Sequence, residues 1–314
     1  MNQSESNAIS LLRSLAMFSI VICHFLQAMN NRYCWIFNIG VQIFLAISGY
    51  LYGGKIIKNW FSWFKKRFIK LYIPYSIFLI FCIPFYYLFA PEVINIKSIF
   101  IYLLDLQGAV AAANIKGLSH LWFMTVIALC YLITPVLQIV SKCRVVIPLF
   151  LFVSLLNFFV FKILIAPFSW FFVYILGYLY ATERGYRKFF ISVFVSALFV
   201  WSAVSISWDD ILNYKNVLNQ IFHAFSGLMI IICTISIFKR LKLELNGKIL
   251  NFTDGHSFEV YLIHHIFILG PFSLMQFTRF ELVNILMVIT LTLILSILLK
   301  RMSNYIVGLI ENIK

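Results

Sequence analysis

Continuous apolar runs, each close to the length of a bilayer crossing, follow one another along almost the whole 314-residue chain. A spanning helix needs roughly 20 mostly apolar residues. The candidate segments are Ser10–Ala28, Trp35–Gly53, Leu71–Ala90, Leu121–Val140, Val145–Phe161, Ile165–Ala181, Phe189–Ser207, Val217–Phe238, Ser257–Phe272 and Leu282–Leu299. An outer-membrane barrel is excluded, because its strands alternate apolar and polar residues around a polar interior. Only 11% of residues are charged and 62% are hydrophobic. A soluble protein carries roughly a quarter charged residues, so a soluble fold of this size has too few charges to cover its surface. The expected fold is all-α: one polytopic membrane helix bundle over residues 1–314, with about ten transmembrane helices and no soluble domain.

The formal charge is +14, and its placement along the chain is informative. The even-numbered connections 55–70, 141–144, 183–188 and 239–248 hold 15 Lys and Arg. With Arg13, Lys300, Arg301 and Lys314 that side holds 19, and the other side holds 6. Enrichment of Lys and Arg in cytoplasmic loops then puts both termini in the cytoplasm of a multi-pass protein of the cell (inner) membrane. It also accounts for the basic excess without a nucleic-acid partner. The N-terminal MNQSESNAIS lacks the basic n-region of a signal peptide, so the first helix is expected to be retained. The six cysteines, 23, 34, 82, 130, 143 and 233, have no CxxC spacing and read as small buried hydrophobes. In the longest outer connection, 91–120, IFIYLLDL is too short to span and reads as a re-entrant or interfacial helix. No internal repeat is visible, which disfavours an inverted-repeat transporter.

Ionisable groups inside membrane helices are costly and mark functional sites. Arg13 and His24 are eleven residues apart, which at 3.6 residues per turn is three turns plus about 20°, so they share one face roughly 16 Å apart. The structural alternative is that Arg13 snorkels to headgroups and His24 bonds a backbone carbonyl. KKRFIK clusters Lys65, Lys66, Arg67 and Lys70 after the aromatic residues Trp60, Phe61, Trp63 and Phe64. That pattern suits a lipid-facing anchor or a grip on a polyphosphate ligand. His120 and Trp122 sit where the fourth span meets the outer surface, and Trp122 reads either as a sugar-stacking ring or as a belt aromatic. Late in the chain, Glu259, Tyr261, His264 and His265 share one span, with His256 preceding them. Glu259 is expected to pair with a cation inside the bundle, Arg13 or His24 being the candidates. Adjacent histidines point about 100° apart, and no HExxH spacing exists, so no metal site is expected. His223, with Ser226 nearby, reads as an interhelical hydrogen-bonding residue.

Together these pieces resemble the acyltransferase 3 family of membrane-bound acyltransferases, which includes O-acetyltransferases of bacterial surface polysaccharides and nodulation factors. The resemblance is carried by Arg13-x10-His24, FLAISGYL (44–51), KKRFIKLYIPY (65–75), HLWFMTVIALCYLITPVL (120–137) and SFEVYLIHH (257–265). It covers nearly the whole chain, in order. The basic motif departs from the family's Arg-x-x-Arg, since Lys70 follows Arg67. A lysine is a point charge without the planar fork of arginine. Glu259 has no place in the family pattern, and no stretch matches the extracytoplasmic esterase-like domain of larger relatives.

The resemblance implies transfer of an acyl group from cytoplasmic acyl-CoA, most often acetyl-CoA, to a hydroxyl of a cell-surface or lipid-linked glycan. Acyl-CoA is a co-substrate, with no permanently bound cofactor. Its phosphates would lie on Arg67 and Lys70 with Lys66, and its thioester would approach His24 along the Arg13 stripe. His24 would act as general base or carry the acyl group itself. His120, Trp122, Glu259, Tyr261 and His264 are candidates for holding the acceptor. A polysaccharide or lipid exporter, or a polysaccharide polymerase, are the rival readings. An exporter needs a continuous polar pathway, and a polymerase would be expected to carry an Arg-rich outer loop.

Overall fold

The computed structural model describes residues 2–110, 114–140, 168–182, 217–245 and 247–312. Among these residues the chain is all-helical, with no strand. The helices are α1 (Gln3–Ala28), α2 (Cys34–Phe37), α3 (Ile39–Tyr52), α4 (Trp60–Phe89), α5 (Ile96–Leu103), α6 (Trp122–Val140), α7 (Phe168–Ala181), α8 (Val217–Leu241), α9 (Lys248–Leu269) and α10 (Glu281–Asn312). Six helical stretches among the described residues are long and apolar enough to cross a membrane: Gln3–Ala28, Cys34–Tyr52, Trp60–Phe89, Ser119–Val140, Phe222–Leu241 and Glu281–Asn312. The expected spans Val145–Phe161 and Phe189–Ser207 lie outside the described residues, as does Cys143. The chain forms two compact units, Met1–Ile56 with Ile133–Gly255 and Ile57–Leu132 with His256–Lys314.

In the first unit, α1 starts at Asn2, whose side chain accepts from the Glu5 N–H at 2.9 Å. That bond satisfies one of the orphan amides every helix N-terminus presents. α3 packs on α1, α7 and α8, and glycines allow the closest approaches. A Cβ on Gly49 would lie 2.0 Å from the Tyr174 carbonyl oxygen, and one on Gly177 would lie 2.0 Å from that of Ala46. Small residues of this kind let helix backbones pack by dispersion where no hydrophobic effect separates helix from lipid. Glu5 joins three helices, accepting from the Tyr50 hydroxyl and pairing with Lys239 at 3.3 Å.

In the second unit, α4 begins at Trp60, eleven residues before the span expected from Leu71. Asn59 caps it, accepting from Ser62 N–H at 2.9 Å. KKRFIK is therefore helical and continuous with the apolar span, because Lys and Arg are good helix formers and the cap sits upstream of them. α5 resolves the nature of 91–120: it folds back along α4. Tyr75 donates to the carbonyl of Tyr102 at 2.6 Å and Tyr72 to that of Leu103, while Tyr86 donates to Lys116 at 3.0 Å. Residues 102–107 thus lie beside Tyr72 and Tyr75, roughly 20 Å along α4 from its end at Phe89. This is the re-entrant alternative. Asp105, at φ +54°, makes the turn. Its carbonyl and carboxylate both accept from the Thr125 hydroxyl, at 2.9 and 3.1 Å. Gln107 donates to Asp105 Oδ1 at 2.9 Å and to the Leu121 carbonyl at 2.8 Å. Non-helical backbone inside a membrane bundle needs such internal partners.

Candidate functional site

Arg13 and His24 project from α1 in the first unit. The half-buried guanidinium meets Asp254: Nη2 donates to Oδ2 at 2.8 Å, and Nε lies 2.8 Å from Oδ1. Beside this pair, Ser14 and Thr253 share a hydroxyl–hydroxyl bond of 2.9 Å. Two consecutive residues of α1 are thereby joined to two consecutive residues of α9. One charge-assisted hydrogen bond and one ion contact of the same length thus hold the guanidinium to the carboxylate. The expectation that Glu259 neutralises Arg13 or His24 is therefore corrected. α9 starts at Lys248 rather than at Ser257, so Asp254 stands on the helix and supplies the carboxylate. The sequence signal was present, an acidic residue beside the apolar SFEVYLIHH run, but Gly255 made the preceding stretch read as a connection.

His24 is half-buried, and its Nδ1 lies 2.7 Å from Gln27 Oε1, one turn on. A carbonyl oxygen only accepts, so Nδ1 carries the proton and Nε2 is the basic nitrogen. This side-chain bond orients the ring.

The remaining candidates lie in the second unit. Lys66 and Lys70 are exposed and Arg67 is half-buried, all on the early turns of α4. Lys70, four residues from Lys66 and three from Arg67, lies between them on a sector of about 100° of the helix. Asp105, Phe64, Phe68, Tyr72 and Tyr131 surround a cavity of about 20 Å³ next to this turn. A separate groove of about 450 Å³ is lined by apolar side chains of α4, α9 and α10, among them Phe78, Phe81, Phe267 and Leu298. Such a surface accommodates hydrocarbon and offers polar groups nothing.

His120, Tyr261, His264 and His265 form a buried aromatic cluster. His120, expected at the outer surface, is only 5% exposed, because Gln107 and α9 pack around its turn. The His120 ring stacks on His265 at 4.5 Å and lies 5.2 Å from that of His264. Its Nε2 lies 3.2 Å from the Leu262 carbonyl, and Tyr261 donates back to the His120 carbonyl. His265 Nδ1 donates to the carbonyl of Gly117, at 2.9 Å. Gly117 has φ +91°, a conformation that side chains other than glycine rarely adopt. His264 Nδ1 donates to its own helix, to the Tyr261 carbonyl at 2.8 Å. These bonds tie α9 to the start of α6. Trp122 is half-buried, in edge contact with Phe123 at 6.3 Å. Glu259, 2% exposed, accepts from Lys300 at 3.1 Å, and its Oε2 is buried with no hydrogen-bond partner among the described residues. Among the described residues no three His, Cys, Asp or Glu side chains are set to hold a metal ion.

The first unit carries a guanidinium–carboxylate pair between α1 and α9 and an oriented imidazole on α1. The second unit, described by itself, carries a cationic face on α4. Comparison with protein-family models matches residues 6–301 to an acyltransferase domain. No curated protein and no solved structure matches the chain. With nearly its whole length matched, this multi-helix membrane chain belongs to the acyltransferase 3 family.

Proposed function

We propose that the protein is a membrane O-acyltransferase that moves an acyl group, most often acetyl, from cytoplasmic acyl-CoA to a hydroxyl of a cell-surface or lipid-linked glycan. Family membership supports acyl transfer in general. The observation that carries the finer reading is the His24–Gln27 bond, which leaves Nε2 as the base. Nε2 takes the acceptor's hydroxyl proton as that oxygen attacks the thioester carbonyl carbon. The tetrahedral intermediate collapses with cleavage of the carbon–sulfur bond, and the imidazolium returns the proton to the departing thiolate. Gln27 holds the ring in one tautomer throughout and stabilises the imidazolium through Nδ1–H, a role an orienting group plays beside other catalytic histidines.

The cationic face of Lys66, Arg67 and Lys70 suits the phosphates of the donor, since charge-assisted bonds to phosphate are strong and position-specific. Arg13, already paired, holds the start of α9 against α1 and keeps that stripe of the first helix electrically balanced. Both termini are assigned to the cytoplasm by the distribution of Lys and Arg, and the full count of ten spans belongs to the same reading. The test is transfer of label from acetyl-CoA to glycan by membranes containing the protein. Wild type should transfer and His24→Ala should not. Equal transfer by a folded His24→Ala protein would remove His24 from the chemistry.

A further inference from the structure

Three polar side chains in the first unit are left unsatisfied in a way the proposed chemistry does not use. Trp35 and His223 are 7% and 2% exposed, and their rings stack at 5.2 Å with 26° between planes. Among the described residues, Trp35 Nε1 and both ring nitrogens of His223 are buried without a hydrogen-bond partner. So is the hydroxyl of Ser226, three residues along the same side of α8. The interhelical bond expected of His223 is not made among the described residues. Native structures seldom leave one such group unpaired, and here four polar atoms on three side chains of two helices are unpaired together among the described residues. Removing them from water without a partner incurs their full desolvation penalty.

Their height in the unit is fixed by Glu5, which meets both Tyr50 and Lys239. From that level His24 lies nineteen residues along α1, or about 28 Å. His223 lies sixteen residues back along α8, about 24 Å, and Trp35 fifteen residues back through α3 and α2, about 22 Å. α1, α3 and α8 pack on one another, so all three rings occupy the same end of one helix cluster.

We propose that Trp35, His223 and Ser226 form the binding surface for the acceptor, a neutral hydroxyl-rich ring such as a sugar, at the His24 end of the first unit. An indole N–H, an imidazole with one donor and one acceptor nitrogen, and a hydroxyl complement a set of adjacent hydroxyls. None of the three brings a permanent charge, which suits a neutral acceptor rather than the phosphates of the donor. The assignment rests on the acyltransfer reading and names the surface that presents the hydroxyl to it.

The test uses full-length protein in membranes carrying the cell's own glycan, with labelled acetyl-CoA, and a parallel measurement of acetyl-CoA affinity on purified protein. Trp35→Phe keeps the stack and removes the N–H; His223→Phe keeps the stack and removes both nitrogens; His223→Asn loses the stack but restores a donor and an acceptor. Transfer should fall at least about tenfold in both Phe variants, donor affinity should stay within about twofold of wild type, and His223→Asn should outperform His223→Phe. The reverse order, with His223→Phe at wild-type transfer, would show a packing role only and overturn the proposal. Donor affinity falling in step with transfer would overturn it too. Wild-type membranes that bind acetyl-CoA and transfer nothing would instead overturn the acyltransfer reading beneath it.

Discussion

Asp254 grips Arg13 across 241 residues of sequence, at 2.8 Å through both carboxylate oxygens. The pair fixes where α9 begins relative to α1. It also removes the first helix's guanidinium from the list of free cations.

Breaking that pair should destabilise the protein without abolishing its fold. Asp254→Asn leaves a half-exposed guanidinium that water still reaches, so the expected loss is about 1–3 kcal/mol. Thermal unfolding in detergent measures it. The swap Arg13→Asp with Asp254→Arg should recover part of the loss, and no recovery at all would show that the two residues act independently.

Gln27 gives a graded test of the imidazole. His24→Ala should lower acyl transfer by about 10²–10⁴-fold, the range of general acid–base catalysis. Gln27→Leu should cost less, because the ring stays and only its tautomer and orientation are freed. Gln27→Glu keeps an acceptor at the same place and should retain more activity than Gln27→Leu. Rates from initial transfer of labelled acetyl decide the order.

Glu259 and Lys300 should respond asymmetrically. Lys300→Met strands a carboxylate that is 2% exposed and already has one unpartnered oxygen. Loss of one partner from a buried pair costs about 3–5 kcal/mol. Glu259→Gln leaves a lysine that is 33% exposed and can reach solvent or headgroups. It should therefore be the milder change. The double variant should be more stable than Lys300→Met alone, as melting temperatures would show.

Gly49 and Gly177 should tolerate no larger side chain. The carbonyls of Tyr174 and Ala46 occupy the positions their Cβ atoms would crowd, each 2.0 Å away. Gly49→Ala or Gly177→Ala must push α3 and α7 apart, at a cost of about 1–3 kcal/mol or more. Gly255, with nothing within 4 Å of its Cβ position, is the control. Gly255→Ala should be neutral or slightly stabilising in the same melting assay.

Long apolar periods made the helices of this chain legible, and they did so where lipid is the only solvent that fits them. Arg13 and His24 stood out by the same logic, as charged or titratable groups in a run that otherwise has none. Asp254 and Asp105 were missed for a shared reason. Each lies beside a glycine or in a connection, where local pattern says turn, and each acquires meaning only from a distant partner, Arg13 in one case and Thr125 in the other. The early start of α4 was missed because four cations in six residues look like a loop, although they are good helix formers behind an Asn cap.

The sequence alone determined that this chain is an all-helical membrane protein, because hydrophobic length and helical period are local properties of the chain, and its motifs carried the resemblance to the acyltransferase 3 family. Only the tertiary structure decided who pairs with whom: Asp254 with Arg13, Lys300 with Glu259, Trp35 with His223, and α5 with the flank of α4. Such pairings depend on helix packing angles and glycine contacts between segments far apart in sequence. No local periodicity encodes them.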